Sequence, residues 1–180
     1  MKLPQNFFKY LIGLAVVIVL RLVPHPPNVE PIMASIMPFA KQWGRWSGLL
    51  FALLAIVTYD LLTNTLGTWS YVTAGTYGAI GMAAGAYFKN RPSSIKNYVG
   101  FSLVATLVYD AITGPGMSTF IFSMPFMDAL VGQIPFTINH LLGNVVLSAV
   151  VSPALYRWVI ANPKLDTRAI LGKLMPALRG

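Results

Sequence analysis

The chain has 180 residues, of which 56% are hydrophobic and only 10% are charged, whereas soluble domains carry roughly 25% charged residues. A soluble domain of this length could not bury so much apolar surface, so the composition excludes an ordinary soluble fold and predicts a membrane bundle. The absence of cysteine excludes disulfides and thiolate metal sites, and the basic residues behind the net charge of +8 fall between apolar runs, which indicates membrane topology rather than nucleic-acid binding.

Six apolar stretches are candidates for helices that cross the bilayer, which takes about 20 mostly apolar residues each. The first follows a charged N-terminus as in a signal peptide, but it lacks a small-residue cleavage site, and we interpret it as a retained helix. The second is short and follows the segment 24–31, which is too rich in proline to be helical. We predict helices over residues 7–23, 31–40, 46–64, 69–88, 97–113 and 136–160.

The stretch 114–135 is apolar but interrupted by glycine and proline, so it could be a seventh irregular span or a re-entrant segment. We favour a structured loop or short helices on the outer surface, acting as a lid. The tail, residues 161–180, has leucines among basic residues, which predicts a short amphipathic helix on the inner leaflet. The predicted fold is therefore one all-α domain over 1–180, a polytopic membrane bundle of six transmembrane helices.

The basic residues are distributed unevenly over the predicted loops. With the N-terminus inside, twelve of the thirteen lysines and arginines are cytoplasmic, and only Arg21 lies on the outer side. The positive-inside rule therefore places both the N and C termini in the cytoplasm of a multi-pass protein of the cell membrane. A seventh span would move the basic cluster Arg157–Arg179 outside, which argues against it.

The sequence contains an internal repeat with a period of 50 residues. Phe51–Thr63 aligns with Phe101–Thr113, and each copy ends in a Tyr-Asp-x-x-Thr pattern. A shift of one helix hairpin keeps both copies in the same direction, and parallel repeats of this kind occur in membrane carriers. The repeat places Asp60 and Asp110 at equivalent positions, one turn before the outer ends of their helices.

These two aspartates are the sharpest candidates for function, because ionisable residues inside apolar helices usually face the bundle or a wet cavity. They could accept hydrogen bonds from a ligand, or each could instead hold its neighbouring turn through Thr63 or Thr113. Arg21 could pair with Glu30 or with an aspartate, or it could extend to the outer headgroups.

Other polar and aromatic residues near the outer face complete the candidate site. Phe136, His140 and Asn144 share one helix face, where polar groups can bind a ligand or a neighbouring helix. The rings of the two repeat tyrosines could stack on a flat ligand. We predict no cofactor and no metal, since two histidines without cysteine support a metal site only weakly. The predicted substrate-binding residues are Arg21, Asn28, Glu30, Tyr59, Asp60, Asn64, Tyr109, Asp110, Asn139, His140 and Asn144.

The fourth predicted helix carries small residues at a spacing of four, Gly81 with Gly85 and Ala79 with Ala83. Such spacing lets helices approach closely. This face could contact another helix of the chain or a partner subunit.

Taken together, the chain resembles the substrate-binding S components of energy-coupling factor (ECF) transporters. The resemblance covers helix number, topology, size and basic inner loops, and it rests on Pro27-Asn28-Val29-Glu30-Pro31 and the two Tyr-Asp-x-x-Thr turns. It implies capture of a vitamin-like micronutrient from outside the cell. It also implies a membrane coupling subunit and two ATPase subunits as partners, since the chain has no Gly-x-x-x-x-Gly-Lys-Ser/Thr phosphate loop.

Two other functions remain open from the sequence. A structural or assembly membrane protein without transport activity would use the outer polar residues only to build turns. An intramembrane enzyme would need clustered catalytic side chains, and four outer carboxylates with two histidines show no such spacing. We therefore expect the protein not to be an enzyme.

Overall fold

The computed structural model describes residues 4–26 and 28–174, and these residues form an all-α structure. The α-helices are α1 Phe7–Leu22, α2 Ile32–Trp43, α3 Arg45–Thr63, α4 Thr68–Phe88, α5 Ile95–Ala111, α6 Met117–Phe120, α7 Phe126–Leu155 and α8 Thr167–Leu174. Two π-helical turns, Ile112–Gly116 and Tyr156–Ile160, extend α5 and α7. A 3-10 turn, Pro163–Leu165, precedes α8.

The first five predicted helices agree with the structure to within a few residues, but the predicted start of the last helix is wrong. Helix α7 begins at Phe126, ten residues before the expected start, and Pro135 lies inside it. Pro125 precedes the helix with a φ of −54°, and Asp128 in the first turn complements the positive end of the helix dipole. The stretch 114–135 is therefore largely helical, with a turn over 121–125 in place of a long loop.

Helix α2 is the centre of the bundle. Every residue from Ile32 to Ala40 is buried, so the helix is covered on all sides, and it contacts α3, α4, α5 and α7. Its polar groups are satisfied internally, since the hydroxyl of Ser35 donates to the carbonyl of Pro31 at 2.8 Å. At 12 residues the helix is only about 18 Å long. The described residues 28–31 that precede it are not helical.

Helices α3 and α4 make the most extensive contact between helices in the described chain, and glycines let their backbones come close together. A Cβ atom on Gly48 would lie 2.3 Å from the carbonyl oxygen of Gly81, and one on Gly85 would lie 2.3 Å from the backbone nitrogen of Arg45. The predicted close-packing face of α4 therefore contacts another helix of the same chain through its glycines. Ala79 and Ala83, by contrast, are exposed.

The beginning of α1 and the segment that follows α7 meet at one end of the bundle. Lys9 pairs with Asp166 at 2.5 Å and donates to the carbonyl of Ile160 at 2.9 Å. The backbone nitrogen of Thr167 donates to the carbonyl of Gln5 at 2.9 Å, which anchors the start of α8. Of the predicted tail, residues 175–180 lie outside the described residues.

Two helical segments in the described chain are long and apolar enough to cross a membrane. They are Arg45–Thr63 and Phe126–Ile160, the second of which combines α7 with its terminal π-turn.

Candidate ligand-binding site

A partly open cavity of about 170 Å³ lies at the end of the bundle opposite the junction of Lys9 with Asp166. Six helices (α1, α2, α3, α4, α5 and α7) and the non-helical segment before α2 contribute to it. Its lining residues are Arg21, Asn28, Glu30, Ile32, Ile56, Asp60, Trp69, Thr73, Tyr77, Tyr109, Phe136 and His140. Six of the predicted binding residues are in this set, so the folded chain brings together side chains from α1, α3, α5 and α7.

Arg21, at the end of α1, is held on two sides. Its Nε lies 3.2 Å from a carboxylate oxygen of Glu30, and its guanidinium lies 3.6 Å from the ring centroid of Tyr59. Of the partners that the sequence allowed, the structure selects Glu30. The side chain is only 10% exposed, and Nη1 is buried with no hydrogen-bond partner among the described residues. One donor of the guanidinium is therefore free to bind an acceptor.

Asn28 and Glu30, in the non-helical segment before α2, line the cavity. Asn28 adopts a left-handed conformation with φ of 67°, which asparagine tolerates better than most residues. The segment packs closely on α7, because a Cβ on Gly143 would come within 3.0 Å of the Cα of Val29. Glycine at this position in α7 therefore lets the segment approach closely enough to line the site.

Asp60 faces the cavity from α3. It is 7% exposed, and its carboxylate has no side-chain hydrogen bond or ion pair with any described residue. The expectation that Thr63 would hold this carboxylate is wrong, because the threonine hydroxyl instead donates to the carbonyl of Tyr59 at 2.9 Å. Buried charges are normally paired or hydrogen-bonded, and no described residue provides either kind of contact to the carboxylate of Asp60.

Asp110 has a different environment from its repeat equivalent. Its Oδ1 lies 2.7 Å from Nδ1 of His140, and both side chains are almost fully buried. An ionised carboxylate can only accept, so Nδ1 donates this bond. Thr113 donates to the carbonyl of Tyr109 rather than to Asp110. Asp110 therefore stands behind His140, which it orients, and it does not line the cavity itself.

The second ring nitrogen of His140, Nε2, has no hydrogen-bond partner among the described residues. This nitrogen is buried, and the imidazole is a lining group of the cavity. The rings of Tyr109 and Phe136 pack edge-on against the imidazole, at centroid distances of 5.4 and 5.7 Å. The predicted shared face of Phe136 and His140 is thus confirmed.

Aromatic rings form much of the remaining wall. Tyr77 and Tyr109 lie 4.4 Å apart between centroids at an interplanar angle of 32°, and the buried hydroxyl of Tyr77 has no partner among the described residues. The predicted binding residues did not include Trp69, Thr73 or Tyr77. Their spacing of four, at positions 69, 73 and 77, was the available signal, because it places all three on one face of α4.

Several predicted binding residues do not line the cavity. Tyr59 lies beneath the guanidinium of Arg21, so this face of its ring is covered. Asn64 is an exposed residue that ends α3 in the left-handed conformation, and Asn139 is exposed on α7. Asn144 is buried and donates to the hydroxyl of Thr106 at 2.8 Å. Asn144 therefore joins α7 to α5, the alternative role that its helix face allowed.

No group of three or more histidine, cysteine, aspartate or glutamate side chains in the described part of the chain is arranged to hold a metal ion. The cavity is instead a mixture of separate charged groups, hydrogen-bonding groups and aromatic surface. Such a site can bind an organic molecule through a few convergent polar contacts.

A model of a protein family whose description is a family of unknown function, DUF6580, matches residues 2–163. The chain belongs to the DUF6580 family. The match includes α1 to α7, and hence every residue that lines the cavity. No curated protein and no solved structure matches this DUF6580 chain. Its function is therefore argued from the site itself.

Proposed function

We propose that this DUF6580 protein is the substrate-binding membrane subunit of an ECF-type importer, which captures a vitamin-like micronutrient from outside the cell. A membrane coupling subunit and two ATPase subunits would supply the energy for uptake. The observation that carries the proposal is the cavity, whose lining residues include Arg21, Tyr77 and His140 from three helices, each with a buried polar atom that has no partner among the described residues.

A bundle with six membrane crossings is part of the proposal. Helices α1, α3, α4, α5 and α7 would each cross the bilayer, and the sixth crossing would combine α2 with the non-helical residues 28–31 before it. Non-helical backbone is tolerated at membrane depth where it lines a cavity. The contribution of Asn28 and Glu30 to the cavity supports this arrangement.

The outer surface of the bundle supports a lipid environment. Large apolar side chains are exposed along α3, α5 and α7, such as Leu62 at 67%, Val104 at 64% and Val150 at 63%. Soluble monomers seldom expose apolar surface on several helices at once. The asymmetry of the basic residues orients the cavity outward, where a scavenging protein would meet its substrate.

The geometry supports a binding role more than a catalytic one. His140 is oriented by Asp110, but no nucleophilic side chain lies within hydrogen-bond distance of the imidazole among the described residues. In the proposed cycle the cavity binds the substrate, and ATP hydrolysis in the partner subunits drives a rigid reorientation that releases it inward.

The proposal is tested by ligand retention. The wild-type protein, purified in mild detergent, should retain a small molecule that mass spectrometry detects after denaturation. Asp60→Asn should lose most of it while keeping the wild-type melting temperature, because the substitution changes the charge of a lining group but hardly its size.

Asp128→Asn is the matched control, since Asp128 is exposed and does not line the cavity, and it should retain the ligand as the wild type does. A folded wild-type protein that repeatedly carries no ligand, and that gives no uptake when reconstituted with coupling and ATPase subunits, would contradict the transport proposal. That result would favour a structural or assembly protein.

A further inference from the structure

The size of the cavity limits what it can hold. Its volume of about 170 Å³ is close to the ~150 Å³ of an engineered protein cavity that binds benzene. A molecule built on a single ring therefore fits without rearrangement of the walls. A fused multi-ring ligand would exceed this volume and would extend out through the open side of the cavity.

The walls favour a flat molecule. Trp69, Tyr77, Tyr109 and Phe136, from three helices, line the cavity; Trp69 is the most exposed of them, whereas Tyr77 and Tyr109 are almost fully buried. Aromatic side chains pack well against planar rings and also attract cations that lie over their faces. The wall thus suits a ring that carries positive charge.

The balance of charge around the cavity determines the polar end of the ligand. Glu30 neutralises Arg21, and Asp110 is the partner of His140. Asp60 is the one lining carboxylate in the described chain without such a partner. A ligand that supplies a cation or an N–H donor would satisfy this carboxylate.

We infer that the cavity recognises a flat, single-ring molecule that carries a cationic or amine nitrogen, which binds Asp60. This inference rests on the proposed function and names the chemical class of its substrate. Simple anions of the same shape are poor ligands, because their charge would face the unpaired carboxylate of Asp60.

Three probes of nearly identical shape and different charge test the inference: benzamidine, benzamide and benzoate. Titration calorimetry on ligand-free wild-type protein in detergent should show the tightest binding for the cation benzamidine. A hydrogen bond between charged partners should favour benzamidine over neutral benzamide by about tenfold in Kd, and benzoate should bind most weakly.

The substitution Asp60→Asn should remove the preference for benzamidine over benzamide, whereas Asp128→Asn should keep it. Equal affinities for the three probes, tighter binding of benzoate, or no binding of any probe to folded wild-type protein would each overturn the inference.

The outcome separates the inference from the proposed function. A protein that prefers benzamidine but supports no uptake with its partner subunits would keep the inference and refute the importer. A reconstituted complex that takes up a co-purified ligand, with a binding subunit that shows no preference for benzamidine, would keep the importer and refute the inference.

Discussion

At the residue scale, Asp60 and Asp110 occupy equivalent positions of the repeat, but their carboxylates have different surroundings. Asp60 lines the cavity, whereas Asp110 does not line it and is paired with His140, which does. The helices that carry them also end differently, one at a left-handed Asn64 and the other in a π-turn over Ile112–Gly116. Equivalent positions of the repeat thus hold one carboxylate that lines the cavity and one that orients His140.

Replacing Asp110 by alanine should destabilise the fold by about 3 kcal/mol, since removing one partner of the buried hydrogen bond with His140 leaves the other partner unsatisfied. Asp110→Asn should cost less, because an amide oxygen still accepts the hydrogen bond from Nδ1 of His140. Unfolding in detergent with increasing denaturant measures both changes. A loss no greater than that of the exposed control Asp128→Ala would show that the pair contributes little to stability.

At the scale of elements, the contact of α3 with α4 depends on glycines that bring the two backbones together. Gly48 and Gly81 face each other so closely that a Cβ on either would meet backbone atoms of the other helix. Backbone cannot move aside as a flexible side chain can. The pair also fixes where Asp60 on α3 and Tyr77 on α4 stand relative to the cavity.

We therefore expect Gly81→Ala to destabilise the protein by about 2 kcal/mol, as overpacking of a tight contact does. Gly75→Ala in the same helix is the matched control, because a Cβ there meets nothing within 4 Å. It should be neutral or stabilising by about 0.5 to 1 kcal/mol, since alanine favours helix over glycine. Thermal unfolding of the two variants under identical conditions compares them, and equal effects would contradict the packing argument.

At the scale of the whole molecule, the bundle has two chemically different ends. One joins Lys9 to Asp166 and carries the start of α8, and the other contains the cavity. In the proposed orientation, the first end faces the cytoplasm, as the positive-inside rule predicts. The proposed orientation then places the turn after α3 outside and the turn after α4 inside.

Single cysteines test this orientation without background, because the chain has none of its own. Thr65→Cys and Asn90→Cys occupy exposed positions in these two turns. A membrane-impermeant maleimide applied to intact cells should label only the cysteine at position 65, and inverted vesicles should show the reverse. Labelling of both positions from the same side would refute the predicted topology.

The sequence by itself determined the positions of the first five helices and the closeness of two aspartates to one end of the bundle. These properties depend on local hydrophobicity and on the repeat, which are readable along the chain. Pro135 misled the prediction of α7, because a proline marks a helix break from the sequence alone but lies within a continuous helix here.

Only the tertiary structure decided which aspartate faces the cavity, that Arg21 pairs with Glu30, and that Tyr77 joins the site. The bond between Asp110 and His140 spans 30 residues, and the cavity combines residues from 21 to 140. Such contacts follow from how α2 is enclosed by its neighbours and from how closely glycines let α3 and α4 approach. Neither the packing nor the resulting burial has a signature in any single segment, since both arise from side chains that meet only after folding.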